Sequence, residues 1–218
     1  MTTPFEGLQV LDLSDRLSGA FAARLFGDFG ADVLLAEPPE GHALRLEPPF
    51  LAGKPGPDSG SLHAYANWNK RSVLIEPGGD LAVLIRNADV VITTADPLDD
   101  ALYADHLPEM RSDAVHLSVT PHGLDDPLGG QPGNNLTASA RTGWSWCNGY
   151  KDEAPLQLPR HQSGYVGGVT GFIAASAALR RRGSFDAAER VDVSELEAFA
   201  LTLHTWAIGA IYADRGFS

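Results

Sequence analysis

Of 218 residues only Cys147 is a cysteine, and a lone thiol cannot form a disulfide within its own chain. That suits a reducing compartment. Its neighbours Trp146 and Asn148 offer no base or cation to activate it, so thiol catalysis is not expected. Long apolar runs are also missing. The longest, Tyr165–Leu179, covers about 15 residues where a membrane span needs about 20. The opening Met1–Gly7 lacks the pattern of a secretory signal. Positive charge is scarce: 16 Lys and Arg face 28 Asp and Glu, a net charge of −12. Such a surface repels phosphate backbones, which excludes general nucleic-acid binding. A soluble cytoplasmic protein with no membrane and no nucleic-acid partner is expected.

Several motifs are absent as well. G-x-G-x-x-G is missing after the first strand, where only Gly19 stands, so a nicotinamide enzyme is disfavoured. No Walker A loop, G-x-S-x-G elbow or His/Cys metal spacing occurs among the seven histidines. No metal and no covalently bound cofactor is expected. No Asp or Glu lies between Glu153 and Asp186.

What is present reads as an α/β protein, a Rossmann-like parallel sheet with flanking helices. Leu8–Leu13 is a short apolar run suited to a buried strand. Ser14–Ala20 reads as a polar turn, and Ala20–Gly30 as a helix with Gly30 placed to end it. Ala31–Glu37 is a second buried strand closing on a carboxylate. A right-handed βαβ unit follows, with a ligand site at the carboxyl ends of its strands. A Pro- and Gly-rich segment leads from Glu37 to Ser61. Beyond it, further strands are expected within Arg71–Glu76, Asp89–Thr93, Ala114–Thr120 and Glu189–Val193. Helices are expected near Asp80–Arg86, Pro97–Met110, Leu136–Thr142, Gly164–Arg182 and Ser194–Gly216, the last capped by Ser194. The whole, residues 1–218, reads as one domain with a loop-rich insert at about 121–160.

Asn69–Ser72 places Lys70 and Arg71 beside hydrogen-bonding groups at a strand start, which fits an anion contact and a solvated strand start equally. Arg45 is similar. Glu37 could hold a ribose hydroxyl. His122 follows a strand's carboxyl end, where site-lining residues and ordinary surface histidines both occur. Trp144 and Trp146 could line a pocket or pack a loop.

Taken together, six segments in order resemble family III CoA-transferases (the CaiB/BaiF family, with formyl-CoA transferase, carnitine CoA-transferase and α-methylacyl-CoA racemase). They are Pro4–Ser14, Leu25–Arg45, Asn67–Glu76, Asn87–Thr94, His116–Gly123 and Ala178–Ala198. The resemblance implies a nucleotide-type α/β domain, a second small domain, and two interlocked chains. It implies CoA or acyl-CoA bound near Leu17, Ser18, Glu37, Pro38, Arg45, Lys70, Arg71, Ser72 and Thr94, with His122 at the strand end. It also implies an aspartate nucleophile that attacks the acyl thioester.

The aspartate position of the family corresponds to Gly164, or to Ser163 one residue earlier. The racemase G-H-D reads Gly133-Asn134-Asn135. The sequence ends where the second domain is expected. Three readings follow. One is a CoA-binding, non-catalytic subunit or half-domain completing a partner chain in a homo- or hetero-oligomer. Another is an active acyl-CoA:carboxylate CoA-transferase using Ser163, His161 or a partner's residue. The third is a scaffold with a relic pocket.

Overall fold

A computed structural model describes residues 3–75, 80–94, 104–150, 152–182, 184 and 186–213. The chain runs β1 (Gln9–Asp12), α1 (Leu17–Asp28), β2 (Asp32–Glu37), α2 (Ser61–Ala66), β3 (Lys70–Leu74), α3 (Leu81–Asn87) and β4 (Val90–Thr93). It continues through β5 (Val115–Thr120), α4 (Asn135–Thr142), α5 (Trp144–Cys147), α6 (Gln162–Arg180), β6 (Glu189–Ser194), α7 (Glu195–Leu201) and α8 (His204–Ala213). All six strands are parallel, in the order β3-β2-β1-β4-β5-β6. The order reverses between β1 and β4, and the crevice above that switch point is where such folds bind ligands.

Burial explains the strand sequences. β4 and β5 are buried along their whole length; β4 (VVIT) reads as an apolar run, while β5 (VHLSVT) buries His116, Ser118 and Thr120 between its apolar residues. Val10, Val33, Val90, Ile92, Val115, Leu117 and Val119 pack with Phe26 and Ala175 on one face. Leu11, Ala36 and Val91 pack with Leu81 and Ile85 of α3 on the other.

Helix α6 lies directly against α1 and β5 because it carries small residues where they meet. A Cβ at Gly168 would stand 2.6 Å from the Ser18 carbonyl oxygen, and one at Gly167 2.9 Å from Glu195 Cγ. At Gly164 a Cβ would only touch Leu17 at 3.5 Å. Gly168→Ala is therefore expected to destabilise by about 1–3 kcal/mol through overpacking. Gly164→Ala should be neutral or slightly stabilising, since alanine is the better helix residue. Thermal denaturation of the two variants checks the contrast.

Three expectations about elements need correction. α1 begins at Leu17, so Leu17 and Ser18 are helical and not part of a turn. The C-terminal helix is two helices, because the chain turns at Thr202–Leu203 between α7 and α8. Of the helix expected over Pro97–Met110, residues 97–103 lie outside the described residues, and Leu107–Glu109 form a 3-10 turn. Gly30 ends α1 as expected, with φ of 100°, a conformation that glycine adopts without strain.

Candidate functional site

At the carboxyl edge of the sheet, beside the switch point, lies a cavity of about 340 Å³. Its walls come from the β1–α1 loop and the start of α1 (Asp15, Arg16, Leu17), a 3-10 turn over Ala43–Leu46 with Glu47, the approach to α4, the start of α6, and the start of α7. His161, Ser163 and Gly164 all line it, as does Leu17.

The start of α6 gives the cavity its character. Arg160 has φ of 40° and His161 φ of 15° with ψ of 22°, so the chain kinks sharply into the helix. Ser163 is 2% exposed. Its N–H donates to Asn135 Oδ1 (3.1 Å), while its hydroxyl has no partner among the described residues. His161 Nε2 stands 3.5 Å from Glu47 Oε2 across the mouth.

Asn134 and Asn135 occupy the positions of the racemase acid/base motif. Both amides are engaged in structure. Asn134 caps α4 by accepting from the Thr137 N–H. Asn135 braces α4 against α6, also donating to the Leu158 carbonyl at 2.8 Å.

Glu195, the first residue of α7, is buried at 3% exposure and was not suggested by any motif. Arg16 contacts both its oxygens at 3.2 Å, and Ser18 Oγ donates to it at 2.7 Å. Arg16 also donates to the Gly133 carbonyl. Ser18 is thus committed to Glu195 and does not line the cavity. Thr94, 3% exposed, donates from Oγ1 to Asp15 Oδ1 (2.6 Å) and accepts from the Asp15 N–H, fixing the β1–α1 loop.

A second cluster lies at the end of β2. Glu37 accepts from Arg45 at 2.6 and 2.8 Å, from Ser72 Oγ at 2.5 Å and from the His42 N–H at 2.9 Å. The Arg45 hydrogen bond, together with those from Ser72 and the His42 N–H and with the Arg45 charge, outweighs partial burial. It holds the Glu37 carboxyl at about 2. Pro38 is exposed beside it. Arg45 turns away from the cavity while its neighbours Leu44 and Glu47 face into it.

Of the two remaining cations, Lys70 differs from both sequence readings and Arg71 fits a solvated strand start. Lys70 is 1% exposed, and its ammonium donates to Asp12 Oδ2 (2.7 Å), the Ala20 carbonyl (2.7 Å) and Asn67 Oδ1 (2.6 Å). All three of its donors are occupied, so it is a core residue, neither a solvated strand start nor a ligand contact. Arg71 forms an exposed pair with Asp32 on the sheet edge and does not reach the cavity. His122 is buried, with Nδ1 unpartnered among the described residues, behind Gly133 and not in the cavity wall. Trp144 packs on Phe199 and donates to Thr202 Oγ1, whereas Trp146 is exposed.

An open parallel sheet with helices on both faces, and a polar cavity where the strand order reverses, defines an α/β domain of the ligand-binding, doubly wound type. The family model for CoA-transferase family III matches residues 5–216, and the chain belongs to that family. Curated relatives include the succinyl-CoA:(R)-benzylsuccinate CoA-transferase subunit BbsE of Thauera aromatica, 30% identical over 99% of this chain and 56% of its own length. The acetyl-CoA:oxalate CoA-transferase of Acetobacter aceti is 27% identical over 88% of this chain and 50% of its own. The chain spans about half the length of these curated relatives. A crystal structure of a CaiB/BaiF family protein from Brucella suis superposes with a TM-score of 0.86 at 23% identity, over 100% of this chain and 60% of that one, and so shares the fold. Among the described residues no helix is long and apolar enough to cross a membrane, and no group of side chains is arranged to hold a metal.

Proposed function

We propose that this chain is the CoA-thioester-binding half of a family III CoA-transferase, a soluble cytoplasmic subunit whose transfer carboxylate comes from a partner chain. One observation carries the reading: the buried carboxylate of the cavity and the one at the β1–α1 loop are already engaged. Asp15 is held by Thr94 and Glu195 by Arg16 and Ser18, while the partly exposed Glu47 stands 3.5 Å from His161 at the rim. The first turn of α6 bears no acid. Packing does not forbid one, since Gly164 has room for a side chain. That the relative BbsE is named as a subunit supports a partner chain.

Isothermal titration of the full chain with CoA and with acetyl-CoA tests the binding half. Saturable heat below about 1 mM is expected, equivalent to more than about 4 kcal/mol of binding free energy. Absence of heat and of any thermal shift at that concentration would leave the scaffold reading. Co-purification with the partner, followed by a CoA-transfer assay on the complex, tests the other half. A second reading, in which this chain reacts through a substitute residue, is favoured by the cavity-lining Ser163, whose hydroxyl makes no hydrogen bond among the described residues.

A further inference from the structure

Ser163 is a nucleophile without an assigned role. The residue is 2% exposed and lines the cavity, and its hydroxyl makes no hydrogen bond among the described residues.

Its surroundings supply the other parts of an acyl-transfer site. His161, two residues earlier, lines the same cavity, and Glu47 faces its Nε2 at 3.5 Å. With Nε2–H directed at Glu47, Nδ1 is left as the basic nitrogen. Catalytic contacts of this kind are often long in the unliganded protein and shorten around substrate. α6 is 19 residues long, and its amino terminus faces the cavity. The Gly164 N–H has no partner among the described residues, whereas those of Gln162, Ser163 and Tyr165 do. An unengaged N–H at a long helix's positive end suits an oxyanion.

We propose that Ser163 is an acyl acceptor, with His161 as its base and Glu47 as the positioning residue, so that the cavity cleaves acyl-CoA thioesters to the free acid and CoA. The reaction has two balanced steps. Ser163 Oγ forms a bond to the thioester carbonyl carbon as the C–S bond breaks. Its proton passes through His161 to the departing thiolate, giving CoA-SH and an acyl-serine ester. Water, deprotonated by His161, then attacks the ester, releasing the carboxylic acid and returning the proton to Ser163 Oγ. The proposal rests on CoA-thioester binding by this cavity, but not on the partner chain.

Intact-mass spectrometry of the full chain after brief incubation with acetyl-CoA and butyryl-CoA, with thiol release followed in parallel, tests it. An acyl adduct on the peptide holding Ser163 is expected, with release of stoichiometric CoA in the first turnover. Ser163→Ala should abolish adduct and release while calorimetric binding of CoA persists. Ser163→Cys should restore the adduct as a thioester, which a merely structural role would not. His161→Ala should slow acylation by at least about tenfold. Glu47→Gln should lower its rate and move its pH profile. Binding without any adduct or thiol release overturns the proposal and leaves the binding reading standing. Absence of binding overturns both.

Discussion

Replacing Lys70 with methionine is expected to lower stability by about 3–5 kcal/mol, the cost of leaving a buried charge alone. Asp12 is fully buried, and its carboxylate meets the Lys70 ammonium at 2.7 Å. Burial by itself would raise the Asp12 carboxyl, but the Lys70 charge and the hydrogen bonds from Lys70 and Ser14 hold it below the ordinary range. Without the ammonium that carboxylate faces an apolar interior, and the Ala20 carbonyl and Asn67 Oδ1 lose a donor. For a chain of this size the melting temperature should fall by roughly 10 °C.

The double variant Asp12→Leu with Lys70→Met separates charge from packing. It removes both ions and should be more stable than Lys70→Met alone, as replacing a whole buried pair generally costs less than breaking one. Denaturant unfolding of the three proteins decides. If the double variant is no better than the single, the buried charge is not the cause. A gross loss of folding in Lys70→Met alone, relieved in the double variant, would establish it equally well.

Acid should unfold this protein in two stages. His116 is buried with Nε2 3.0 Å from Thr93 Oγ1. Burial, aided by the nearby Arg190 charge, pushes its imidazole down from 6.5 to about 4. Burial also lowers His42, and it lowers the partly buried His63 to about 4. Between these values the unfolded chain binds more protons than the fold, so stability rises with pH. It is fully present above about 6.5 and lost as pH falls towards 4. His116 alone should account for about 2 kcal/mol at pH 5. The contribution of His63 is smaller because the ring is partly exposed and water screens it.

The second stage belongs to Glu37. Its folded value of about 2 lies below the ordinary 4.5, so its stabilisation is complete above 4.5 and disappears on the way to 2. Urea unfolding at pH 7.5, 5 and 4 measures the first stage. In His116→Leu the drop between pH 7.5 and 5 should shrink by about 2 kcal/mol. An unchanged drop would assign that limb to other groups.

How much of this was legible in the sequence depends on how local each feature is. The strands after α1 and α3 read plainly because both follow the same ADV pattern and are buried on two faces. The Ser194 cap was legible for the same reason: one hydroxyl accepts from an N–H three residues on, within a single turn. Lys70 misled because Asn67–Ser72 is polar by composition, and nothing local reveals that Asp12, 58 residues earlier, stands opposite it. Glu195 went unremarked because its partners Arg16 and Ser18 are nearly the whole chain away. Trp144 and Trp146 could not be told apart until Phe199 was placed beside one of them.

The sequence by itself determined the parallel α/β class, the family, and the lack of an acid between Glu153 and Asp186. These are written in hydrophobic period and in local order along the chain, which each segment carries on its own. Only the tertiary structure decided which charged groups remain free to act. It withdrew Lys70 and Ser18 into internal bonds, joined Glu37 to Arg45, and brought His161, Ser163 and Glu47 to one cavity. The reason is that a charge or hydroxyl is available or engaged according to what faces it in space, and at this site the facing groups come from strand ends and helix starts distant in sequence.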